Sequence, residues 1–220
     1  MRYKYEFLRS IKIIFSVFLF CFVLSGCTKQ NSVDDMSDDL QWEWVLEANN
    51  SDLQFVDDDL VAVKEESGKW SLYNLQREEI ILSKCDGISP FSEGYAVITD
   101  GERKRYINMN GEYICEYSYE DAKSFSESMA AVKENGKWGF INTFGKNVIE
   151  CLYDEVRSFA EGLSAVRIGN SWFYINKEGQ TIIDAGYEEA ASFCESLAVV
   201  KSGNYYGVIN KSGEIVVDYQ

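Results

Sequence analysis

Across 220 residues this chain sets 36 acidic side chains against 21 basic ones, a net charge of −15 at pH 7. That balance repels nucleic-acid phosphates and anionic headgroups, which disfavours nucleic-acid binding, and no nucleic-acid partner is expected. There is no histidine, which removes Ser–His and Cys–His nucleophile pairs and histidine-bearing zinc sites.

The chain opens on Arg2, Lys4, Arg9 and Lys12, then an apolar run, "IIFSVFLFCFVLSG". The run is shorter than the roughly 20 apolar residues a spanning helix needs and has the layout of an export signal. It ends in Leu24-Ser25-Gly26-Cys27, which resembles the lipobox of bacterial lipoproteins. The resemblance implies diacylglycerol on the Cys27 thiol and cleavage before it; a plain secretory signal and an uncleaved anchor are the competing readings. More than one acyl chain is needed for stable anchoring. The expected location is therefore the extracytoplasmic side of a cell membrane, with a lipid anchor on Cys27. On this reading residues 1–26 are the signal and residues 27–41, including "TKQNSVDDMSDDLQ", are an acidic, disordered tether. Residues 42–220 form the folded domain. Beyond Cys21 and Cys27 the cysteines are Cys85, Cys115, Cys151 and Cys194, whose spacing fits no metal motif and favours free thiols.

From there one unit recurs. Asn74, Asn108, Asn142, Asn176 and Asn210 are each 34 residues apart, and Gly111, Gly145, Gly179 and Gly213 keep the same step. Phe91, Phe125, Phe159 and Phe193 do so too, with Phe55 placed 36 residues before Phe91. Units fall near 55–90, 91–124, 125–158, 159–192 and 193–220. Each predicts three short strands, such as "MAAVK", "WGFIN" and "NVIE", too short and too rich in β-branched and aromatic residues for helices. A Gly/Asn turn joins the first two strands, and Asn-x-x-Gly has type I turn chemistry. The links "YEDAKSF", "YDEVRSF" and "YEEAASF" admit a short helical turn around Ala122, Val156 and Ala190. "WEWVLEANNSDLQF" aligns with a third strand plus link, as an orphan preceding the first copy.

These columns resemble the bacterial WG-repeat family, best at "GKWGFINTFG" and "YDEVRSFAEGLSAV". The second copy departs from it with Lys104-Arg105 in place of Trp-Gly; the first and fourth, with Trp70-Ser71 and Trp172-Phe173, lose the glycine. The resemblance implies a repeat scaffold and no particular reaction. Such units bury their apolar faces only by stacking. The expected fold is all-β: about five three-stranded antiparallel units in a curved open array, or alternatively a propeller-like ring.

Several columns could carry chemistry. Asp57, Glu93, Glu127, Glu161 and Glu195 each follow a Phe by two; they suggest either a line of carboxylates or groups accepting N–H bonds within their own tight turns, and the second is favoured. Asp57-Asp58-Asp59 lacks calcium-loop spacing, so no metal or other cofactor is expected. Trp70, Trp138, Trp172 and Tyr206 suggest either sugar stacking or cross-strand packing, with packing favoured. Arg103, Lys104 and Arg105 break the pattern and could meet an acidic partner. With no unique polar constellation and no phosphate loop, no enzymatic activity is expected. The leading expectation is a membrane-anchored scaffold binding another envelope protein; the alternative is a carbohydrate or cell-wall binding module.

Overall fold

The computed structural model describes residues 53–57, 60–65, 67–74, 79–80 and 85–219. The signal, Cys27, the tether, "WEWVLEANN" and Asp58-Asp59 lie outside them. The described chain is all-β and folds as antiparallel meanders in tandem, each pairing its strands in sequence order, with no barrel closure. The first sheet is β1 (Leu53–Asp57), β2 (Leu60–Lys64), β3 (Trp70–Asn74) and β4 (Glu79–Ile80). The second is β5 (Gly87–Ile88), β6 (Tyr95–Asp100) and β7 (Arg103–Asn108). The third is β8 (Asp121–Ala122), β9 (Met129–Glu134), β10 (Lys137–Asn142) and β11 (Asn147–Tyr153). The fourth is β12 (Glu155–Val156), β13 (Ser164–Ile168), β14 (Ser171–Ile175) and β15 (Thr181–Tyr187). The fifth is β16 (Glu189–Ala190), β17 (Leu197–Ser202), β18 (Tyr205–Asn210) and β19 (Ile215–Val217).

The tandem antiparallel units are as expected, with three strands in the second sheet and a fourth, short strand in each of the others; the links hold strand rather than helix. Asp121–Ala122, Glu155–Val156 and Glu189–Ala190 each pair antiparallel with the strand that follows. The central hairpins follow their turn residues. Asn135 and Gly136 both take positive φ, 52° and 74°, as a type I′ turn requires. Gly101, Gly169 and Gly203 supply the single positive φ of the type II′ alternative at the first turn position.

Strands such as β9 read as nearly unbroken apolar runs because both faces are covered: Met129, Ala130, Ala131 and Val132 are all buried. Among the described residues, the core divides into clusters lying between successive sheets. Ala62 and Leu72 meet Ala96 and Ile98 between the first two. Val97 and Tyr106 meet Phe125 and Val132 at the next joint. Ala131 and Phe140 meet Phe159 and Val166 after that, and Ala165 and Tyr174 meet Phe193 and Val200 at the last. The repeated Phe is the plug of each joint: Phe125 lies 5.1 Å from Tyr106, Phe159 4.8 Å from Phe140 and Phe193 4.9 Å from Tyr174, ring to ring.

Phe55 does not belong to that column. A register shift between Phe55 and Asp57 turns Phe55 outward and puts Val56 into the core. Asp57 pairs with Leu60 just as Ser126 pairs with Met129, so Asp57 stands in the serine slot of its unit. The alignment of Asp57 with Glu93, Glu127, Glu161 and Glu195 is therefore off by one residue.

The glycine of Trp-Gly has a steric cause. A Cβ on Gly139 would lie 2.5 Å from the carbonyl oxygen of Ile149 and 2.8 Å from the nitrogen of Cys151, because the bulged strand β11 crosses over it. Arg105 occupies this place in the second unit, where residues 113–119 form only single bridges, Ile107 to Tyr113 and Lys104 to Tyr119. The fourth unit carries Phe173 there and keeps β15, with Gly186 at φ 65° in the opposing bulge.

Candidate functional site

Most repeat-defining side chains act at the joints. Glu93 accepts the N–H groups of Glu127 and Ser128, at 2.7 and 2.8 Å. Glu127 accepts the N–H of Gly162 at 2.8 Å and pairs with Lys177; Glu161 accepts that of Ser196 at 2.9 Å and lies 3.9 Å from Lys211. Each carboxylate therefore caps the tight turn of the following unit, not its own turn as expected. Partial burial opposes the charge on Glu127, but the Gly162 N–H and the Lys177 ammonium outweigh it and hold the carboxyl below its usual range. The turn that receives these bonds is left-handed: Glu127 and Ser128 have φ of 54° and 66°. A non-glycine residue there is strained, and the accepting carboxylate offsets the strain.

Other columns work alike. Ser92 and Ser126 donate their hydroxyls to the carbonyls of Phe125 and Phe159, each at 2.8 Å. Lys123 and Arg157 donate to the carbonyls of Val156 and Ala190. The buried Tyr106 and Tyr174 donate their hydroxyls to Lys123 and Ala191 of the following link, at 2.7 and 2.8 Å. A second acidic column, Asp86, Glu120, Asp154 and Glu188, accepts the hairpin-tip N–H of Gly101, Gly136, Gly169 and Gly203. Asp86 and Asp154 also pair with Lys69 and Lys137 of the preceding unit, and that pairing first, then the glycine N–H, lowers their pKa values. Sequence reasoning missed this column, although its step of 34 residues was present.

The aromatic column divides. Trp138 and Trp172 are buried, each with a cation over the ring: Lys123 at 5.1 Å from Trp138 and Arg157 at 5.3 Å from Trp172. Trp70 is partly buried against the first joint. Tyr206 is exposed and hydrogen-bonds Glu189. The four therefore do not form one open ladder of rings.

Arg103, Lys104 and Arg105 are tied down within the fold. Arg103 pairs with Glu134 of the next unit at 2.8 Å and donates to the Ser118 carbonyl. Lys104 donates to Thr99, and Arg105 lies 4.2 Å over the Tyr113 ring while donating to the Glu116 carbonyl. Of the Asp57-Asp58-Asp59 cluster only Asp57 is described. Among the described residues no group of three or more Cys, Asp or Glu stands ready to hold a metal, and Cys85, Cys115, Cys151 and Cys194 are free thiols.

Among the described residues the two most exposed large apolar side chains lie off the repeat columns. Phe144 is 84 % and Tyr117 72 % exposed, and Leu152 and Tyr113 are exposed as well. None recurs at the repeat step, so the periodicity of the sequence does not mark them. Large exposed apolar groups mark interaction surfaces when they gather.

The chain matches the family described as WG containing repeat over residues 70–102, 105–138, 138–172 and 172–206. No curated protein matches it. Among solved structures it is similar to the computationally designed Ika8 protein, at 14 % identity and a TM-score of 0.49, covering 76 % of this chain and 60 % of that one. It is also similar to Hsv2p of Kluyveromyces lactis, at 14 % identity and a TM-score of 0.46, covering 75 % and 61 %. BamB of Moraxella catarrhalis follows at 9 % identity and a TM-score of 0.38, covering 75 % and 74 %. The chain thus spans about 60 % of the length of the first two.

Proposed function

We infer the function from a premise of kinship: this chain belongs to the WG-containing repeat family, it is a repeat scaffold, and its role is to bind another protein at the cell envelope. The binding is non-enzymatic, and the scaffold is held at the extracytoplasmic face of the membrane by lipid on Cys27. One observation carries the reading. The residues that define the repeat are occupied in joining units, while large apolar side chains outside the repeat, Phe144 and Tyr117 foremost, face solvent. Exposed aromatic anchors on a rigid frame suit a protein partner. A stacking glycan needs open indole faces, and burial of Trp138 and Trp172 argues against that alternative.

Crosslinking and co-purification of the protein from its own membranes tests the reading. It predicts one recurrent protein neighbour, reduced in a Phe144→Ser, Tyr117→Ser double variant of unchanged melting temperature. Recovery of glycan alone would overturn it. Cys27→Ser should abolish incorporation of labelled palmitate and release the protein from the membrane; incorporation that survives would remove the anchor from the account.

A further inference from the structure

Val148, Ile182 and Val216 stand 34 residues apart on β11, β15 and β19, each the last strand of its sheet. In the two internal units, strand alternation sends the next residue, Ile149 or Ile183, into a joint, at 6 % and 5 % exposed, and leaves Val148 and Ile182 at 42 % and 47 %. Val216 continues the column at 54 %. Two residues on, Glu150, Asp184 and Asp218 form an exposed acidic column. The two carboxylate columns described above are occupied by turns and cations. Among the described residues, no hydrogen bond or ion pair engages this third one. Charge on an edge strand keeps sheet edges apart, but that purpose calls for no aliphatic side chain beside each carboxylate. The outer strands also follow one another closely. Ile149 packs on the Gly179 turn of the next unit, where an added Cβ would lie 3.5 Å from its side chain, and Ile183 packs likewise on Gly213, at 3.1 Å.

We propose that this row of outer strands is a docking surface for a cationic, amphipathic segment of a partner protein. Its apolar side chains lie across Val148, Ile182 and Val216, and its Lys or Arg side chains meet Glu150, Asp184 and Asp218. Apolar area supplies affinity, and complementary charge selects the partner and sets its register. Phe144, in the turn leading into β11, and Leu152, on β11 itself, widen the apolar surface at the third unit. A second copy of this chain would bring a net charge of −15 of the same sign, and like charges set against each other cost affinity. Packed sheets lie about 10 Å apart, close to the rise of about 10.5 Å between residues seven apart on one helix face, so a helix meets one unit with every second turn. This inference rests on the protein-binding reading and gives its partner a chemistry.

The probe is a dye-labelled synthetic peptide of Leu and Lys, with its leucines at helical spacing, titrated into the full protein and followed by fluorescence anisotropy. Saturable binding is expected. It should weaken about tenfold or more in a Val148→Ser, Ile182→Ser protein, which keeps every charge, and in a Glu150→Gln, Asp184→Asn protein. The charge-matched control Glu102→Gln, Glu178→Gln, altered at exposed carboxylates elsewhere, should bind as the parent does. All these side chains are exposed, so the melting temperature should not move; if it falls in the aliphatic variant, the carboxylate variant and its control decide. No saturable binding overturns the inference. So does binding that ignores Val148→Ser, Ile182→Ser in a protein of parent stability and falls equally in both charge variants, since diffuse attraction then explains it. A dimer of this chain that Val148→Ser, Ile182→Ser dissociates overturns it in favour of a second copy. A membrane neighbour that co-purifies undiminished with that variant, while the peptide fails to bind the parent, overturns this inference alone and leaves the protein-binding reading standing.

Discussion

Gly139 shows most directly how one residue's chemistry is set by a neighbouring strand. Its place beneath the Ile149 carbonyl leaves no room for a methyl group, and the obstacle is backbone that cannot swing aside. Gly139→Ala should cost about 1–3 kcal/mol, as overpacking does, and chemical denaturation will measure it; an unchanged midpoint would refute the steric account. Glu127 gives the residue-scale prediction for pH. Its folded pKa is depressed, so it stabilises the fold above the unfolded carboxyl value, and that contribution is lost as pH falls through the folded one. The melting temperature should therefore drop as pH falls below about 4.5, less steeply in Glu127→Gln. Parallel curves for the two proteins would show that the Gly162 and Lys177 contacts carry no linkage.

At the scale of the element, the second unit is the informative exception. Arg105 stands where Gly139 stands in the third, and the segment after it makes bridges instead of a strand. Arg105→Gly should let residues 113–119 pair along β7, seen as added amide protection there; unchanged exchange would mean that Glu116 to Ser118 block the strand themselves. Strand positions, the hairpin turns and the period were legible in the sequence because alternation and turn chemistry act locally. The two-residue link strands were not: Glu155–Val156 pairs only because β13 is already in place, so its own residues carry no strand signal. The carboxylate column was legible as a column, yet the acceptor's target was assigned to the wrong turn. A hydrogen bond from Gly162 to Glu127 spans one full repeat, and local propensity says nothing about a contact at that distance. Phe55 was misplaced for the converse reason. Identity of residue type outweighed a one-residue register shift that only pairing with β2 reveals.

For the whole molecule, what holds each sheet comes mainly from its neighbours: a plugging Phe, a capped turn and a donated side-chain bond at successive joints. Arrays of this kind behave as nearest-neighbour systems, in which stability resides in interfaces as much as in units. Candidate binding positions were the hardest to read in advance, since exposure of Phe144 or Tyr117 depends on which faces the stacking covers. In such a system the joints, rather than the individual sheets, make the fold stable. The most direct test is amide exchange read sheet by sheet in Phe159→Ala, a large-to-small change worth about 3–5 kcal/mol in a packed core. Protection should be lost on both sides of the joint, across β9–β11 and β13–β15 together, with smaller losses in the flanking sheets. Loss confined to the strands touching residue 159, with every other sheet at its original protection, would contradict it.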